Sequence, residues 1–167
     1  GLADVAIPAE RVRDPRELRE PGLGLGRDPV RTPMPWDGGA QAGFSTAEPW
    51  LPLNADWTQR NVAAQAGDPS SMLALHRTLL ALRRRHPALS VGSLALIEAD
   101  EDVLAYERRE GSERLLVVLN MGGQARRLML PGDSRIEDVL ASTLPLRAMD
   151  GTLRPDEGLI LKMRGAN

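Results

Sequence analysis

Apolar positions divide the chain into three stretches of different rhythm. Between residues 69 and 85, Met72, Leu75, Leu79 and Leu82 recur at helical spacing, and Leu73 and Leu80 widen the apolar face. The pattern predicts a helix from about Pro69 to Arg85. Asp68 is expected to be its N-cap and Pro69 its first helical residue. Arg83, Arg84, Arg85 and His86 gather at the end where cations suit the helix dipole, and Pro87 stops the helix. After Ser93 the rhythm shortens. Strands are expected over Leu94–Glu98, Val103–Arg109, Arg114–Asn120, Arg127–Leu130, Ile136–Leu140 and Gly158–Met163. Turn sequences such as Glu110-Gly111-Ser112, Pro131-Gly132-Asp133 and Asp150-Gly151 separate them. Short, regularly spaced strands of this kind suggest an all-β sandwich. Leu115-Leu116-Val117-Val118-Leu119 is apolar on both faces and is expected to be central.

Residues 1–68 carry neither rhythm. Eight prolines, eight glycines, all three tryptophans and the only phenylalanine fall there. Short helical pieces are expected around Pro15–Glu20 and Asp56–Ala66. A loop this long is improbable inside a compact domain unless it is functional or leans on a neighbouring surface. Its densest part is Gly26-Arg27-Asp28-Pro29-Val30-Arg31-Thr32-Pro33-Met34-Pro35-Trp36-Asp37. Proline removes backbone donors and fixes φ, so this part should be a stiff loop. Arginine, aspartate and tryptophan on a stiff loop suit a polar, ring-shaped ligand such as a sugar.

Composition narrows the field. The chain has 167 residues, long enough for one domain or one domain with an appendage. Basic and acidic residues number 21 and 23, which argues against a nucleic-acid or membrane-surface role driven by bulk charge. There is no cysteine, so disulfides, thiol catalysis and thiolate metal sites are excluded, in keeping with a cytoplasmic protein. No apolar run approaches the ~20 residues of a membrane span. An opening at Gly1 without an initiator methionine is expected of a processed chain or of a piece of something longer.

Pro8-Ala9-Glu10-Arg11-Val12-Arg13-Asp14-Pro15, Pro21-Gly22-Leu23-Gly24-Leu25-Gly26-Arg27-Asp28-Pro29 and Arg31-Thr32-Pro33-Met34-Pro35-Trp36-Asp37 together resemble bacterial α-glucosidases of the α-amylase family of glycoside hydrolases, near the oligo-1,6-glucosidases. Ala42-Gly43-Phe44-Ser45 and Pro49-Trp50-Leu51-Pro52 continue the likeness. Leu115 to Asn120 and Leu153-Arg154-Pro155-Asp156-Glu157-Gly158 look like that family's C-terminal sandwich.

The resemblance implies an α+β fragment: an extended loop region and the last helix of a (β/α)₈ barrel, followed by an antiparallel all-β sandwich domain. Residues 1–90 would end the catalytic barrel, with 1–68 as its eighth strand-to-helix loop and 69–86 as the barrel helix. Residues 91–167 would be the sandwich. Barrel enzymes carry their sites on such loops. The implied activity is release of terminal α-linked glucose from short oligosaccharides by a retaining mechanism. That mechanism needs two carboxyls about 5–5.5 Å apart. The family supplies its acids from earlier barrel strands, the last usually after an Asn-His. Here His76 precedes Arg77 and His86 precedes Pro87, so that motif is not in this chain. The chain alone is expected to be inactive and to need the missing N-terminal barrel.

Arg27 and Asp28 are the substrate-binding candidates. The family's matching arginine reaches the glucose at the cleavage subsite, a task suited to a planar fork of donors. The bland alternative is that Arg27 ties the loop to Asp28 or another acid. Asp28 is read as an orienting partner and Arg31 as structural. Trp36, Trp50, Trp57 and Phe44 could stack on sugars, but large loop aromatics are expected to form the loop's own small core. Glu98, Asp100, Glu101 and Asp102 lack calcium-ligand spacing and read as an exposed turn. No cofactor, metal, nucleic acid or membrane is implied. The partner expected through the whole enzyme is an α-glucoside oligosaccharide. Deprived of its barrel, the first third should be mobile or seek a second copy of itself. Transglycosylation is a variant of the same reading. The alternatives from other classes are a non-catalytic β-sandwich module that stabilises a partner or binds α-glucans, and a plain scaffold.

Overall fold

The computed structural model describes residues Ala3 to Arg164. The opening at Gly1 and the last three residues of the expected 91–167 domain lie outside the described residues. The chain separates into two compact units, and the division falls after Ala74, inside a helix.

The first unit contains no strand among its described residues. It is built from short helical pieces: α1 (Pro15–Arg19), α2 (Val62–Ala66) and 3₁₀ turns at Ala9–Arg11, Asp28–Val30 and Ala40–Gly43. Proline spacing explains this. Each proline removes a backbone donor and restrains its predecessor, so no run is long enough for a ladder. The helix expected over Asp56–Ala66 is shorter, beginning only at Val62. Its N-cap is Asn61, whose Oδ1 accepts from Ala64 N–H at 2.8 Å. The N–H groups of Val62 and Ala63 are used by the carbonyls of Pro35 and Trp36. Asn61 Nδ2 donates to the carbonyls of Trp57 and Thr58, which holds those residues in a turn instead of a helix.

The long helix α3 spans Met72–Arg85. It starts three residues later than Asp68 and Pro69 predict. Asp68 instead closes a local turn, accepting from the Ser70 backbone and hydroxyl. Ser71 takes over the cap, its Oγ accepting from Ala74 N–H at 3.1 Å, while Gln65 Oε1 accepts from Leu73 N–H. An acceptor is needed wherever the first free N–H groups fall, and two oxygens supply it here.

The second unit runs on from Leu75. Strands β1 (Ser93–Ile97), β2 (Val103–Glu110), β3 (Glu113–Asn120), β5 (Arg135–Ser142) and β7 (Gly158–Arg164) form one antiparallel sheet in the order β1-β2-β3-β7-β5. The short β4 (Arg126–Arg127) and β6 (Thr152–Leu153) pair in a second. The central position of β3 matches its two-faced apolar run. A two-residue turn, Gly111-Ser112, joins β2 to β3 in the Glu110–Glu113 register. Gly111 has φ of 55°, which an L side chain rarely adopts.

Leu116, Val118, Leu159, Leu161 and Met163 point from one face of the large sheet into a cluster completed by Leu128 and Leu153 from beside the small one. This is the sandwich core. The β6 pairing was not foreseen, because two residues are too few to show a period. Of Arg127–Leu130 only Arg127 pairs, together with Arg126. Val117 and Leu119, on the opposite face, line a largely apolar hollow of about 340 Å³ with Leu75 and Leu79 of α3 and Tyr106. Leu82 is the only buried residue of α3; Leu80 is 55% exposed and Met72 53%. At the end of α3, His86 Nδ1 meets Glu113 Oε1 at 2.6 Å, and Glu113 Oε2 accepts from Ala88 N–H. No helix among the described residues is long and apolar enough to cross a membrane.

Candidate functional site

The Arg27 loop is organised by three acidic side chains. Asp14 precedes α1 and caps it, its Oδ1 accepting from Arg16 N–H at 2.9 Å. Pro15 suits this start because its missing N–H would have had no helical partner. Glu17, one turn along, accepts from Gly22 N–H at 2.8 Å and Gly26 N–H at 3.2 Å. The glycine-rich run is thereby folded back over α1. A Cβ on Gly26 would lie 2.8 Å from Glu17 Cβ, so only glycine passes this close. Asp28 closes the loop from the other side, its Oδ2 accepting from Arg13 N–H at 2.6 Å and Asp14 N–H at 2.8 Å.

These contacts cross in both directions between the two segments. The side chain of residue 28 holds the backbone at 13 and 14, and the side chain of residue 14 holds Arg27. Asp14 Oδ2 receives Arg27 Nε at 2.8 Å. The Asp14 side chain is 0% exposed and that of Arg27 is 59% exposed. The Arg27 hydrogen bond, then the backbone N–H of Arg16, brings the Asp14 carboxyl down to a pKa of about 2. It is ionised at every ordinary pH and does not serve as a proton donor.

A guanidinium carries five N–H donors. Asp14 takes the one on Nε, and among the described residues neither Nη meets an acceptor. The four remaining donors form a planar fork on the exposed side, able to bind adjacent hydroxyls. The bland alternative for Arg27 named an acid partner, and the partner is Asp14. Asp28 meets backbone instead. Both carboxylates are engaged with donors of this loop.

The aromatic residues depart from expectation. Trp50 is 70% exposed, Trp36 52% and Phe44 49%, and only Trp57 is half-buried. They do not form a core. The buried residues of this unit mix Ala42, Leu51, Pro33 and Pro35 with the polar Asn54, Asn61, Ser71 and the two aspartates. Phe44 and Trp50 border an open hollow of about 380 Å³ with Arg31, Pro33 and Leu51. Ala42 has φ of 55°, and its carbonyl accepts from both Trp36 and Asp37 N–H. Two bonds to one carbonyl hold a backbone conformation that alanine otherwise avoids. Among the described residues no group of three His, Cys, Asp or Glu side chains could hold a metal ion.

Sequence reasoning missed Asp14 and Glu17 as members of the site. An aspartate before a proline is an N-cap signal that could have found Asp14, but nothing local indicates that the same carboxylate reaches a residue thirteen positions on.

The family model for the α-amylase catalytic domain matches residues 1–92. A probable α-glucosidase of Rhizobium meliloti (strain 1021) is 37% identical over 130 residues, covering 78% of this chain and 24% of that protein. The oligo-1,6-glucosidase of Parageobacillus thermoglucosidasius is 33% identical over 158 residues, covering 90% and 28%. Among solved structures, the trehalulose synthase MutB from Pseudomonas mesoacidophila MX-45 superposes with a TM-score of 0.76 at 36% identity, covering 83% and 26%. The chain spans about a quarter of the length of the curated relatives it matches.

Proposed function

The chain belongs to the α-amylase family, and from that premise we propose that it is the C-terminal part of a retaining α-glucosidase that removes terminal α-linked glucose from short oligosaccharides. Residues 1–90 complete a catalytic barrel whose reacting acids come from upstream, and residues 91–167 buttress it. Arg27 binds the glucose at the cleavage subsite through its free Nη donors. Asp28 orients the loop, and an upstream barrel and an α-glucoside are the partners. One observation carries the reading: an exposed guanidinium with four uncommitted donors, seated on one buried carboxylate, inside the segment that matches the catalytic-domain model.

The chemistry follows from the charge that develops at the sugar. A retaining glycosidase forms and breaks a glycosyl ester through an oxocarbenium-like state, and hydrogen bonds that fix the ring lower that barrier. A cationic fork is suited to holding hydroxyls at the ring's far end, where it does not oppose positive charge at the anomeric carbon. The test is Arg27→Ala in the complete polypeptide that carries these residues. We expect kcat/KM for p-nitrophenyl α-glucoside and isomaltose to fall by about two orders of magnitude or more, as for loss of a charged substrate contact. A loss below threefold rejects the binding role.

The match to a trehalulose synthase supports a second reading, in which the acceptor is a sugar instead of water. Product analysis with sucrose distinguishes the two: free glucose marks hydrolysis, and an isomeric disaccharide marks transfer.

A further inference from the structure

We propose that Asp14 is the positioning residue for Arg27, fixing the direction of the guanidinium so that its Nη edge is presented to the sugar; this rests on the glucose-binding reading of Arg27 given above. Three features of the geometry support it. First, each Asp14 oxygen has its own fixed donor, Oδ1 from the Arg16 backbone at 2.9 Å and Oδ2 from Arg27 Nε at 2.8 Å. The carboxylate therefore cannot rotate without losing a bond. Second, the backbone beneath it is held as well, because Asp28 receives the N–H of both Arg13 and Asp14. Asp14 is a rigid anchor and not a mobile surface acid.

Third, the pair is asymmetric. A surface ion pair leaves both partners wet and adds little to stability. Here the acid is enclosed and the base projects outward. Arginine can meet a carboxylate with two parallel N–H groups, and that geometry would occupy an Nη as well. The contact uses Nε alone and leaves the whole Nη edge available. Arg27 holds Asp14 ionised far below neutral pH, so the anchor persists wherever the enzyme works. An arginine restrained at Nε loses less conformational freedom when a sugar binds than an unrestrained one.

Asn at position 14 separates anchoring from folding. Its side-chain oxygen still accepts from Arg16 N–H and still caps α1, whereas the negative charge facing Nε is gone. The experiment is a cycle of Asp14→Asn, Arg27→Ala and the double variant in the complete polypeptide, with kcat and KM measured on p-nitrophenyl α-glucoside and thermal midpoints recorded alongside. We expect D14N to lower kcat/KM by about tenfold to hundredfold, as for an active-site group misplaced by an ångström or less. In the Arg27→Ala background the same change should cost less than twofold. The Arg27 Nε–H resonance of 15N-labelled protein should exchange slowly in the parent and quickly in D14N.

Equal losses from D14N in both backgrounds, with a matching fall in thermal midpoint, would show a purely structural residue and overturn the proposal. So would a D14N variant of parental activity while Arg27→Ala remains severely impaired. If Arg27→Ala itself is nearly normal, the glucose-binding reading fails and the positioning role falls with it. The two failures are thus told apart by the single variants.

Discussion

Residues 3–74 bury Asp14, Asp28, Asn54, Asn61 and Ser71 alongside Ala42 and Leu51. Residues 75–164 bury Leu115, Leu116, Val118, Leu153, Leu159 and Leu161 almost completely. In the first unit a buried polar side chain usually ends on a backbone group. Asp28 holds residues 13 and 14, Asn54 reaches the Ala3 carbonyl, and Asn61 serves residues 57, 58 and 64. In the second, aliphatic side chains form the core cluster, and the buried Glu107, Asn120, Ser134 and Glu157 end on arginines or on backbone carbonyls. The first unit holds the exposed guanidinium of Arg27, and the second holds the large aliphatic cluster. Hydrogen bonds are directional, so a loop tied by them can aim a side chain. Apolar burial is non-directional and scales with area, which suits a support.

If this contrast is right, the largest loss comes from the sheet. Leu116→Ala on the central strand should cost about 2–5 kcal/mol in urea unfolding, as for aliphatic truncation in a core that cannot collapse. A cost below about 1 kcal/mol would mean that the sandwich cluster is not where the stability resides. Next is Asp28→Ala, which leaves the Arg13 and Asp14 N–H groups without their acceptor. The expected cost is about 2 kcal/mol, visible as faster hydrogen exchange in residues 13–28 with the β3 and β7 amides unchanged. Equal deprotection of both units would contradict separate means of support. Asn61→Ala removes the α2 cap and should cost about 1 kcal/mol, read from exchange at residues 62–66.

A further effect is set by pH. Asp14 has a folded pKa of about 2, below its ordinary 3.8. A carboxyl whose pKa is lowered on folding adds stability above its unfolded value, and that stability is lost as pH falls through the folded value. The Arg27 loop should therefore loosen between about pH 4 and pH 2. NMR titration of Asp14 should follow this window, and Arg27→Ala should move its midpoint up toward 3.8. A midpoint already near 3.8 in the parent would mean that the Asp14–Arg27 contact does not form.

Much of the second unit was legible beforehand. The strands over 94–97, 103–109, 114–120, 136–140 and 158–163 coincide with the expected segments, because short runs bounded by Gly-containing turns mark strands whether one face or both are buried. The two-residue β6 lies below the length at which a period can be read. In the first unit, a helical piece around Pro15–Glu20 was legible, as was the stiff loop from its prolines. The helix start at Met72 was not, since Asp68, Ser70 and Ser71 are all competent caps and the choice depended on Gln65 folding back to meet Ser71 and Leu73. Burying the loop aromatics was a general expectation about large side chains, and here smaller apolar residues and polar groups share the interior instead.

The order of residues was enough to settle the helix, the central strand, the hairpin at Gly111 and the family likeness, since each rests on neighbours a few positions apart. It also marked Arg27 as the residue to watch. That Arg27 is seated on Asp14, that Asp28 serves backbone and not guanidinium, and that Glu17 folds the glycine run over α1 emerged only once the chain was folded. Those partners lie five to fifteen positions apart along a loop with no repeat. Which acid meets which donor is decided by the path the prolines and glycines impose, and a path is a property of all its dihedral angles together.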